Sequence, residues 1–364
     1  MRPITELPRR RFLQTTALAA GALSVPNVLA AKRDSNQLVL GEGEHKYEVQ
    51  HSWPRLPDKF MWQTTHNVAI DKEQNLYVIH EGRLEQPDHP SIFVFDKDGK
   101  FVRAFGKQFQ GGGHGLEVRT EGKEQFLYVT GYLTLKMFAK LTLTGETVWQ
   151  RRAPFECGLY PKGKNTDKGR HWGRDVFLPT NFAFLDDGGF FLVDGYGTYR
   201  VHRYDKNANW VSMFGADGRK DGEFKTSHGI WIDARPGRKK SVVVADRANK
   251  RLQWFTLGGK HIKTMDGFML PANVDTHGET MVVPDLRSRI TLLDRNDKVI
   301  THLGEDPQWR NRVGKEKLRG AAHSSKWIPG KFLHPHDACF DAAGNIFVAE
   351  WVQAGRVTKL RKLS

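Results

Sequence analysis

Short runs of β-branched and aromatic residues alternate with turn signals along most of the chain, and this pattern predicts strands. The stretch from Ser227 to Met265 shows it most clearly. Four such runs, HGIWID, SVVVAD, RLQWFT and KHIKTM, are separated there by Pro-Gly, Ala-Asn and Gly-Gly pairs. The stretch therefore predicts a four-stranded antiparallel meander.

The same unit recurs, so that six copies can be counted. Their first strands begin at His66, His114, Thr180, His228, Ala272 and His336. Repeated four-stranded units are typical of a β-propeller, whose closed ring protects its sheet edges. The sixth copy has three predicted strands, and the run YEVQHSW at residues 47–53 can supply the fourth. The sequence predicts an all-β, six-bladed β-propeller closed by its N-terminal strand.

The first 30 residues have the pattern of an export signal. Arg9-Arg10-Arg11 gives a twin-arginine motif, residues 17–25 are weakly apolar, and Val28-Leu29-Ala30 resembles a cleavage site. The apolar run is shorter than the ~20 residues that a bilayer-spanning helix needs. We predict a signal at 1–30, a linker at 31–45, a propeller at 46–364, and a periplasmic or secreted protein without a stable membrane span. The twin-arginine translocase is then a partner during export, and an uncleaved anchor is the alternative.

Charge and cysteine content narrow the expected partners. The net charge is +15, of which the signal contributes +3, leaving +12. Residues 235–240 and 310–319 concentrate this charge in loops, a pattern typical of solvated loop charge, with an anionic surface ligand as the alternative. Export argues against nucleic acid. The two cysteines, Cys157 and Cys339, are too few for a disulfide framework and are predicted to be free.

Two insertions interrupt the regular repeat. They span residues 151–178, before the third copy, and residues 305–331, before the sixth. Long loops of this kind in a compact domain usually form lids or binding loops. We predict such a role for both, with decorative surface loops as the alternative.

Histidine occupies the first position of the innermost strand in copies two, four and six, as His114, His228 and His336. Innermost strands line the channel of a propeller, so these side chains converge from alternate blades at one mouth. This arrangement predicts an open three-histidine metal site with a position left for water or substrate. Repeat histidines that cap a turn are the alternative. His66, at the same position in copy one, is predicted to bind substrate, although an extra ligand or a plain repeat residue would also fit.

Two further residues follow second strands near the same mouth. Tyr196 can serve as a base, because a phenol near a dication ionises more easily, and Arg247 can hold a carboxylate in a fork of donors. Structural roles are the alternative for both. The repeating Asp194, Asp246 and Asp285 are predicted to accept hydrogen bonds from turn amides.

The segments VQHSWP, HNVAIDKEQNLYVIHEG, VDGYGTYRV, VVADRANKRLQWF and PHDACFDAAGNIFVAE together resemble the NHL-repeat propeller of the peptidyl-α-hydroxyglycine α-amidating lyases. The resemblance spans residues 47–363. It implies a catalytic zinc on the three histidines above, with Tyr196 and Arg247 in the active site. It also implies a channel calcium bound by Asp337 and by the carbonyls of Val68 and Leu116, an oxygen shell that suits a hard ion.

The chain also departs from this family. A family arginine in a His-Arg-Gly motif is replaced in His80-Glu81-Gly82, which turns a positive charge negative. His80 and Glu81 are predicted to contact substrate, and Arg83 is a candidate replacement for the arginine. Gly197 stands where a family cysteine follows the tyrosine.

The leading hypothesis is therefore a zinc-dependent lyase. It would cleave the C–N bond of a peptidyl-2-hydroxyglycine-like carbinolamide to an amide and glyoxylate. Two alternatives are kept: an exported metal-dependent hydrolase or lactonase on the same propeller, and a non-catalytic NHL interaction module.

Overall fold

The computed structural model describes residues 37–363, so the predicted signal and most of the predicted linker lie outside the described residues. Nearly all regular structure in this range is β-strand. Among these residues, none of the helices is long or apolar enough to cross a membrane.

Six antiparallel sheets form the ring, and each is a consecutive meander from the innermost to the outermost strand. Blade one consists of β3 (Thr65–Ile70), β4 (Leu76–His80), β5 (Ile92–Phe95) and β6 (Phe101–Phe105). Blade two consists of β7 (Gly113–Glu121), β8 (Glu124–Gly131), β9 (Met137–Thr142) and β10 (Thr147–Arg151). Blade three consists of β11 (Phe182–Phe184), β12 (Phe190–Asp194), β13 (Arg200–Tyr204) and β14 (Trp210–Phe214).

Blades four to six complete the ring. Blade four consists of β15 (Ser227–Asp233), β16 (Ser241–Asp246), β17 (Arg251–Phe255) and β18 (His261–Met265). Blade five consists of β19 (Asp275–His277), β20 (Thr280–Asp285), β21 (Arg289–Leu293) and β22 (Val299–Leu303). Blade six contains β23 (Pro335–Phe340), β24 (Ile346–Glu350) and β25 (Arg356–Lys362). The predicted six-bladed propeller is confirmed.

The N-terminal strand closes the ring as predicted. Strand β2 (Tyr47–Gln50) pairs antiparallel with β25, Tyr47 opposite Lys362, and so supplies the fourth strand of blade six. A short strand β1 (Val39–Leu40) then pairs with β2 and adds a fifth. This part of the predicted linker is therefore a strand, because β2 offers it a free edge.

Apolar packing between neighbouring sheets holds the ring together. Middle strands such as β16 and β20 are buried on both faces, because each blade lies between two others. A separate cluster of buried side chains fills each of the six spaces between adjacent blades. The cluster between blades six and one joins Phe347 and Val357 to Val78 and Phe93, so the closing contact is as apolar as the others.

Helices occur mainly in the two insertions. Helix α1 (Lys162–Thr166) and the 3-10 turn Phe155–Cys157 lie in the first, and α2 (Pro307–Lys315) and the 3-10 helix Ala321–Lys326 in the second. Asp306 caps α2 by accepting a hydrogen bond from the Trp309 amide at 2.9 Å. Further 3-10 turns span Gly43–His45, Lys107–Phe109 and Arg247–Asn249. Cys157 and Cys339 are both free thiols, as predicted.

Candidate metal centre and active site

Four histidines meet at one mouth of the channel. His66, His114, His228 and His336 begin the innermost strands of blades one, two, four and six, and all four are buried. The His228 ring centroid lies 4.9 Å from that of His114 and 4.6 Å from that of His336. One nitrogen from each of His66, His114 and His336 lies within 4.8 Å of the other two, so these buried side chains could hold a metal ion. The predicted convergence occurs, and it includes His66.

Backbone carbonyls of the following blades orient three of the rings. Nδ1 of His114 donates to the Thr180 carbonyl at 3.0 Å, and Nδ1 of His228 donates to the Ala272 carbonyl at 2.7 Å. Nδ1 of His336 donates to the His66 carbonyl at 2.7 Å. A carbonyl only accepts hydrogen bonds, so in these three rings Nδ1 carries the proton and Nε2 keeps its lone pair. This outer-shell arrangement is typical of histidines that bind metal through Nε2.

The charge state of the cluster also fits a metal. Burial lowers the pKa of His114, His228 and His336 well below the ordinary value, and neighbouring positive groups such as Arg247 lower it further. The rings are therefore neutral at neutral pH, which is the form that ligates. Imidazole nitrogens suit zinc among the common biological ions.

Tyr196 lies directly against the cluster. Its hydroxyl is 3.0 Å from Nε2 of His228 and 3.3 Å from Nε2 of His114, and it accepts a hydrogen bond from the Arg247 guanidinium at 3.2 Å. The structure thus brings together the tyrosine, the arginine and the histidines that the sequence singles out. Arg247 also lies over the Tyr196 ring, with 5.1 Å between its guanidinium carbon and the ring centroid.

Repeated aspartates hold the loops that carry these two residues. Asp194 accepts hydrogen bonds from the amides of Leu178 (2.7 Å) and Thr198 (2.7 Å), on both sides of Tyr196. Asp246, which immediately precedes Arg247, accepts a hydrogen bond from the Lys225 amide at 2.8 Å. The predicted role of these aspartates is confirmed, and it places catalytic candidates on rigid supports.

Gly197 is required by the close approach of its neighbours. A Cβ atom at this position would lie 2.0 Å from the Val176 carbonyl oxygen and 2.2 Å from an Asp194 carboxylate oxygen. The backbone after Tyr196 therefore has no room for a cysteine side chain.

Residues that follow the second strands form a second layer beside the histidines. Glu81 follows β4 and lies 3.0 Å from His66 through its Oε2 and the ring Nε2. Tyr132 follows β8, and its ring centroid lies 4.9 Å from His114 and 5.3 Å from Tyr196. Tyr132 was not predicted, although its place in the repeat is nearly that of Tyr196 and Arg247 and could have indicated it.

Glu81 is ionised despite its partial burial. Burial raises the pKa of this carboxyl, but hydrogen bonds from His66 and Tyr132 and the charge of Arg319 hold the pKa below its usual range. The negative charge that replaces the family arginine therefore persists beside the cluster, as the sequence predicted.

The structure packs His80 among the aromatic side chains of blade one. His80 is fully buried, with its ring 4.8 Å from that of Phe93 and 5.3 Å from that of Trp62, because alternation along β4 turns it into the blade rather than the channel. Burial lowers the pKa of His80 well below its ordinary value, and the nearby Arg83 charge lowers it further. Substrate contact by His80 and replacement of the family arginine by Arg83 stay predictions.

Both insertions reach the site. Trp172, in the first, has its ring centroid 6.2 Å from that of Tyr196, and Arg174 donates to the Tyr196 carbonyl at 3.2 Å. Arg319, in the second, stacks over Trp351 at 3.3 Å and adds positive charge near Glu81. The sequence predicts that both insertions are binding loops but does not single out these residues. An irregular loop has no periodic pattern that would indicate which side chain turns inward.

A group of acidic residues lines the channel below the histidines. Asp337 accepts a hydrogen bond from the Val68 amide at 2.8 Å and another from the Asn273 side chain, and Asp337, Glu117 and Asp275 border a cavity of about 360 Å³. Burial raises the pKa of Asp337 to about 6 and that of Asp275 to about 7. Carboxylates that share a buried cavity in this way gain from a bound cation.

The side-chain oxygen of Asn273, which borders the cavity, is buried without a hydrogen-bond partner among residues 37–363 and so favours a cation there. The side-chain oxygens of Asn67 and Asn181 are also buried and unpaired in this range. Leu116, the other residue implied by the resemblance, precedes Glu117 on β7. An oxygen-rich cavity fits calcium better than zinc.

Comparisons with known proteins agree with the resemblance seen in the sequence. The chain is 24 % identical over 372 residues to peptidyl-alpha-hydroxyglycine alpha-amidating lyase 1 of Drosophila melanogaster, which covers 90 % of this chain and 60 % of the fly protein. It is 27 % identical over 217 residues to NHL repeat-containing protein 3 of Homo sapiens, covering 57 % of this chain and 56 % of that protein. The predicted resemblance is confirmed. The chain spans about 56 to 60 % of these two relatives, and no protein-family model matches it.

Solved structures support the fold alone. A streptogramin B lyase has a TM-score of 0.53 at 10 % identity, covering 88 % of this chain and 99 % of its own. A virginiamycin B lyase from Staphylococcus aureus has a TM-score of 0.50 at 11 % identity, covering 87 % of this chain and 100 % of its own. At such identities the shared architecture carries no functional detail.

Proposed function

We propose that the protein is a metal-dependent lyase that cleaves the C–N bond of an N-acyl-2-hydroxyglycine and releases an amide and glyoxylate. Relatives named as amidating lyases support this reaction class. The observation that carries it is the position of the Tyr196 hydroxyl, within 3.3 Å of two histidine Nε2 atoms and of Arg247. The candidate base Tyr196, the histidines that would hold the metal and the candidate anion-binding group Arg247 are thus adjacent.

His114, His228 and His336 would hold the metal, and zinc fits their neutral nitrogens. When bound, such an ion acts as a Lewis acid that polarises a substrate oxygen and favours ionised forms nearby. Tyr196, as the phenolate, would take the proton of the carbinol hydroxyl. The oxygen electron pair would form the aldehyde carbonyl while the C–N bond breaks with its electrons moving to nitrogen, and Tyr196 would return the proton to that nitrogen to give the amide.

Arg247 supplies a fixed positive charge for the substrate. A guanidinium can hold a carboxylate through two parallel hydrogen bonds, and the same group stabilises a Tyr196 phenolate through its existing contact. Arg319 partly offsets Glu81, which would otherwise repel the glycine carboxylate. Trp172 shields Tyr196 on the loop side. Together these contacts position one anionic substrate against the tyrosine.

A metal-dependent hydrolase or lactonase is the second candidate, and Glu81 favours it. Its negative charge stands where the resemblance expects a positive one, so a neutral ester or lactone would meet less repulsion than an anion. Such an enzyme would use the same histidines and take water as the nucleophile. The two candidates differ in their products.

Parallel assays separate the two. Purified protein loaded with zinc is incubated with N-benzoyl-2-hydroxyglycine, with the equivalent neutral methyl ester and with a simple lactone. We expect benzamide and glyoxylate in equal amounts from the first compound. Ring opening of the lactone or release of methanol from the ester, without glyoxylate, would replace the lyase by the hydrolase.

We also propose that the twin-arginine segment exports the folded chain. The proposal rests on the Arg9-Arg10-Arg11 pattern in the sequence. Changing Arg10 and Arg11 to Lys-Lys is expected to keep the protein inside the cell in a fractionation assay. Unchanged export of this variant would contradict the proposal.

A further inference from the structure

His66 occupies the inner-strand position of the three predicted zinc ligands but has a different partner. It is buried, and its ring centroid lies 4.8 Å from His114 and 4.6 Å from His336. One of its nitrogens belongs to the group of three that lie within 4.8 Å of one another. His66 is therefore as close to the centre of the cluster as the other rings are.

Glu81 determines which His66 nitrogen can bind a metal. Nε2 of His66 lies 3.0 Å from Oε2 of Glu81, so this nitrogen is already engaged by the carboxylate. Nδ1 is buried with no hydrogen-bond partner in the described part of the chain, so it is the nitrogen left to bind a cation. Burying a polar nitrogen without a partner is costly, and a cation would remove that cost.

We propose that His66 is a fourth protein ligand of the metal and that Glu81 is its positioning residue. The pair has the carboxylate–histidine–metal order in which a carboxylate fixes the tautomer and raises the basicity of the ligand. The carboxylate also offsets the charge of a dication, whereas an arginine at position 81 would add to it. Glu81 thus replaces a substrate-binding group by a metal-supporting one.

This inference adds a ligand to the metal centre of the proposed lyase and rests on that centre. It assigns to Glu81 a contact with a ligand rather than with substrate, and to His66 a role distinct from substrate binding. With four protein ligands, the metal is held more tightly than in an open three-histidine site. A substrate oxygen can then reach it only as an additional ligand.

Metal affinity, measured on the full chain after removal of metal by a chelator, tests the proposal. Cobalt(II) is titrated in, its visible absorption reports the number and type of ligands, and competition with a chelator gives the dissociation constant. The variants are His66→Ala and Glu81→Gln. Glu85→Gln is the matched control, because it removes the same charge from an exposed position in the same loop.

We expect Glu81→Gln to weaken cobalt binding by about 10- to 100-fold, the usual cost of losing an outer-shell partner. His66→Ala should weaken it at least as much and should also change the absorption band, while Glu85→Gln should match the wild type. Glu81→Gln changes few atoms, so it gives an answer even if His66→Ala fails to fold.

Wild-type affinity and an unchanged band in folded His66→Ala would overturn the proposal, and so would a wild-type chain that does not bind cobalt. Wild-type affinity in Glu81→Gln would remove Glu81 from its positioning role. These readouts do not need turnover. Failure to release glyoxylate while the cobalt signature responds to His66 would overturn the proposed lyase function and leave the fourth ligand in place.

Discussion

Replacement of Tyr196 by phenylalanine tests the proposed chemistry most directly. The variant removes one oxygen, which contacts Nε2 of His228 at 3.0 Å, Nε2 of His114 at 3.3 Å and Arg247 at 3.2 Å. The ring keeps its packing against Tyr132 and Trp172. We therefore expect the fold and the metal site to survive while the base is lost.

The two effects differ in size. Loss of a general base lowers turnover by about 10²- to 10⁴-fold, which is about 3 to 5 kcal/mol of activation free energy. Loss of a hydrogen-bonding hydroxyl changes the free energy of unfolding by only about 0.5 to 1.5 kcal/mol. Glyoxylate release from N-benzoyl-2-hydroxyglycine measures the first quantity, and urea unfolding measures the second. Zinc content is measured on the same samples.

Tyr132→Phe is the matched control. It removes the same oxygen from a tyrosine that also packs on His114, but whose hydroxyl interacts with Glu81 rather than with the histidine nitrogens. We expect its turnover to stay within about tenfold of the wild type. Turnover of Tyr196→Phe equal to that of Tyr132→Phe, with zinc intact in both, would refute the assignment of Tyr196 as the base.

Three further predictions concern the metals and one structural histidine. His114→Ala should lose most of the zinc seen in wild type by elemental analysis, because it removes one of the converging nitrogens; full occupancy would contradict the site. Chelation of calcium should lower the melting temperature of the wild type but not of Asp337→Asn, because an ion bound only to the folded state at 100 times its Kd stabilises by about 2.7 kcal/mol. An unchanged wild-type melting temperature would exclude the ion. Burial lowers the pKa of His202 to about 3, and the Trp210 indole donates to its Nδ1 at 3.2 Å, so this ring is neutral when folded. The unfolded chain then binds the extra proton, and stability present above pH ~6.5 is lost as the pH falls towards 3, by at most about 5 kcal/mol. Urea unfolding from pH 7 to pH 4 should show a weaker pH dependence in His202→Gln, and equal slopes would contradict it.

Periodic features of the chain could be predicted because they repeat. The six meanders, the closing strand and the inner-strand histidines recur at equivalent positions, so one unit explained the rest. The short strand β1 could not be foreseen, because two residues show no periodicity and pair only once β2 provides an edge. The repeat therefore predicted the ring and the converging histidines together.

Features set by a single tertiary contact could not be predicted in the same way. Arg235 lies in a run expected to be a basic surface loop, yet it is buried and paired with Asp233 and Asp297. Arg238 of the same run also pairs with Asp297. This neutralisation weakens the expectation of an anionic surface ligand at residues 235–240. Composition counts charges, whereas only the fold shows which of them are already compensated.

The two candidate cation sites depend on the same contact between blades six and one. Nδ1 of His336 donates to the carbonyl of His66, and the next residue, Asp337, accepts from the amide of Val68. Adjacent residues of β23 thus hold two residues of β3 that are two positions apart, one pair at the histidine cluster and the other at the acidic cavity. A cation in the cavity would draw these strands together and so hold His336 and His66 in register. We therefore expect the geometry of the histidine cluster to change when the cavity is emptied of a cation.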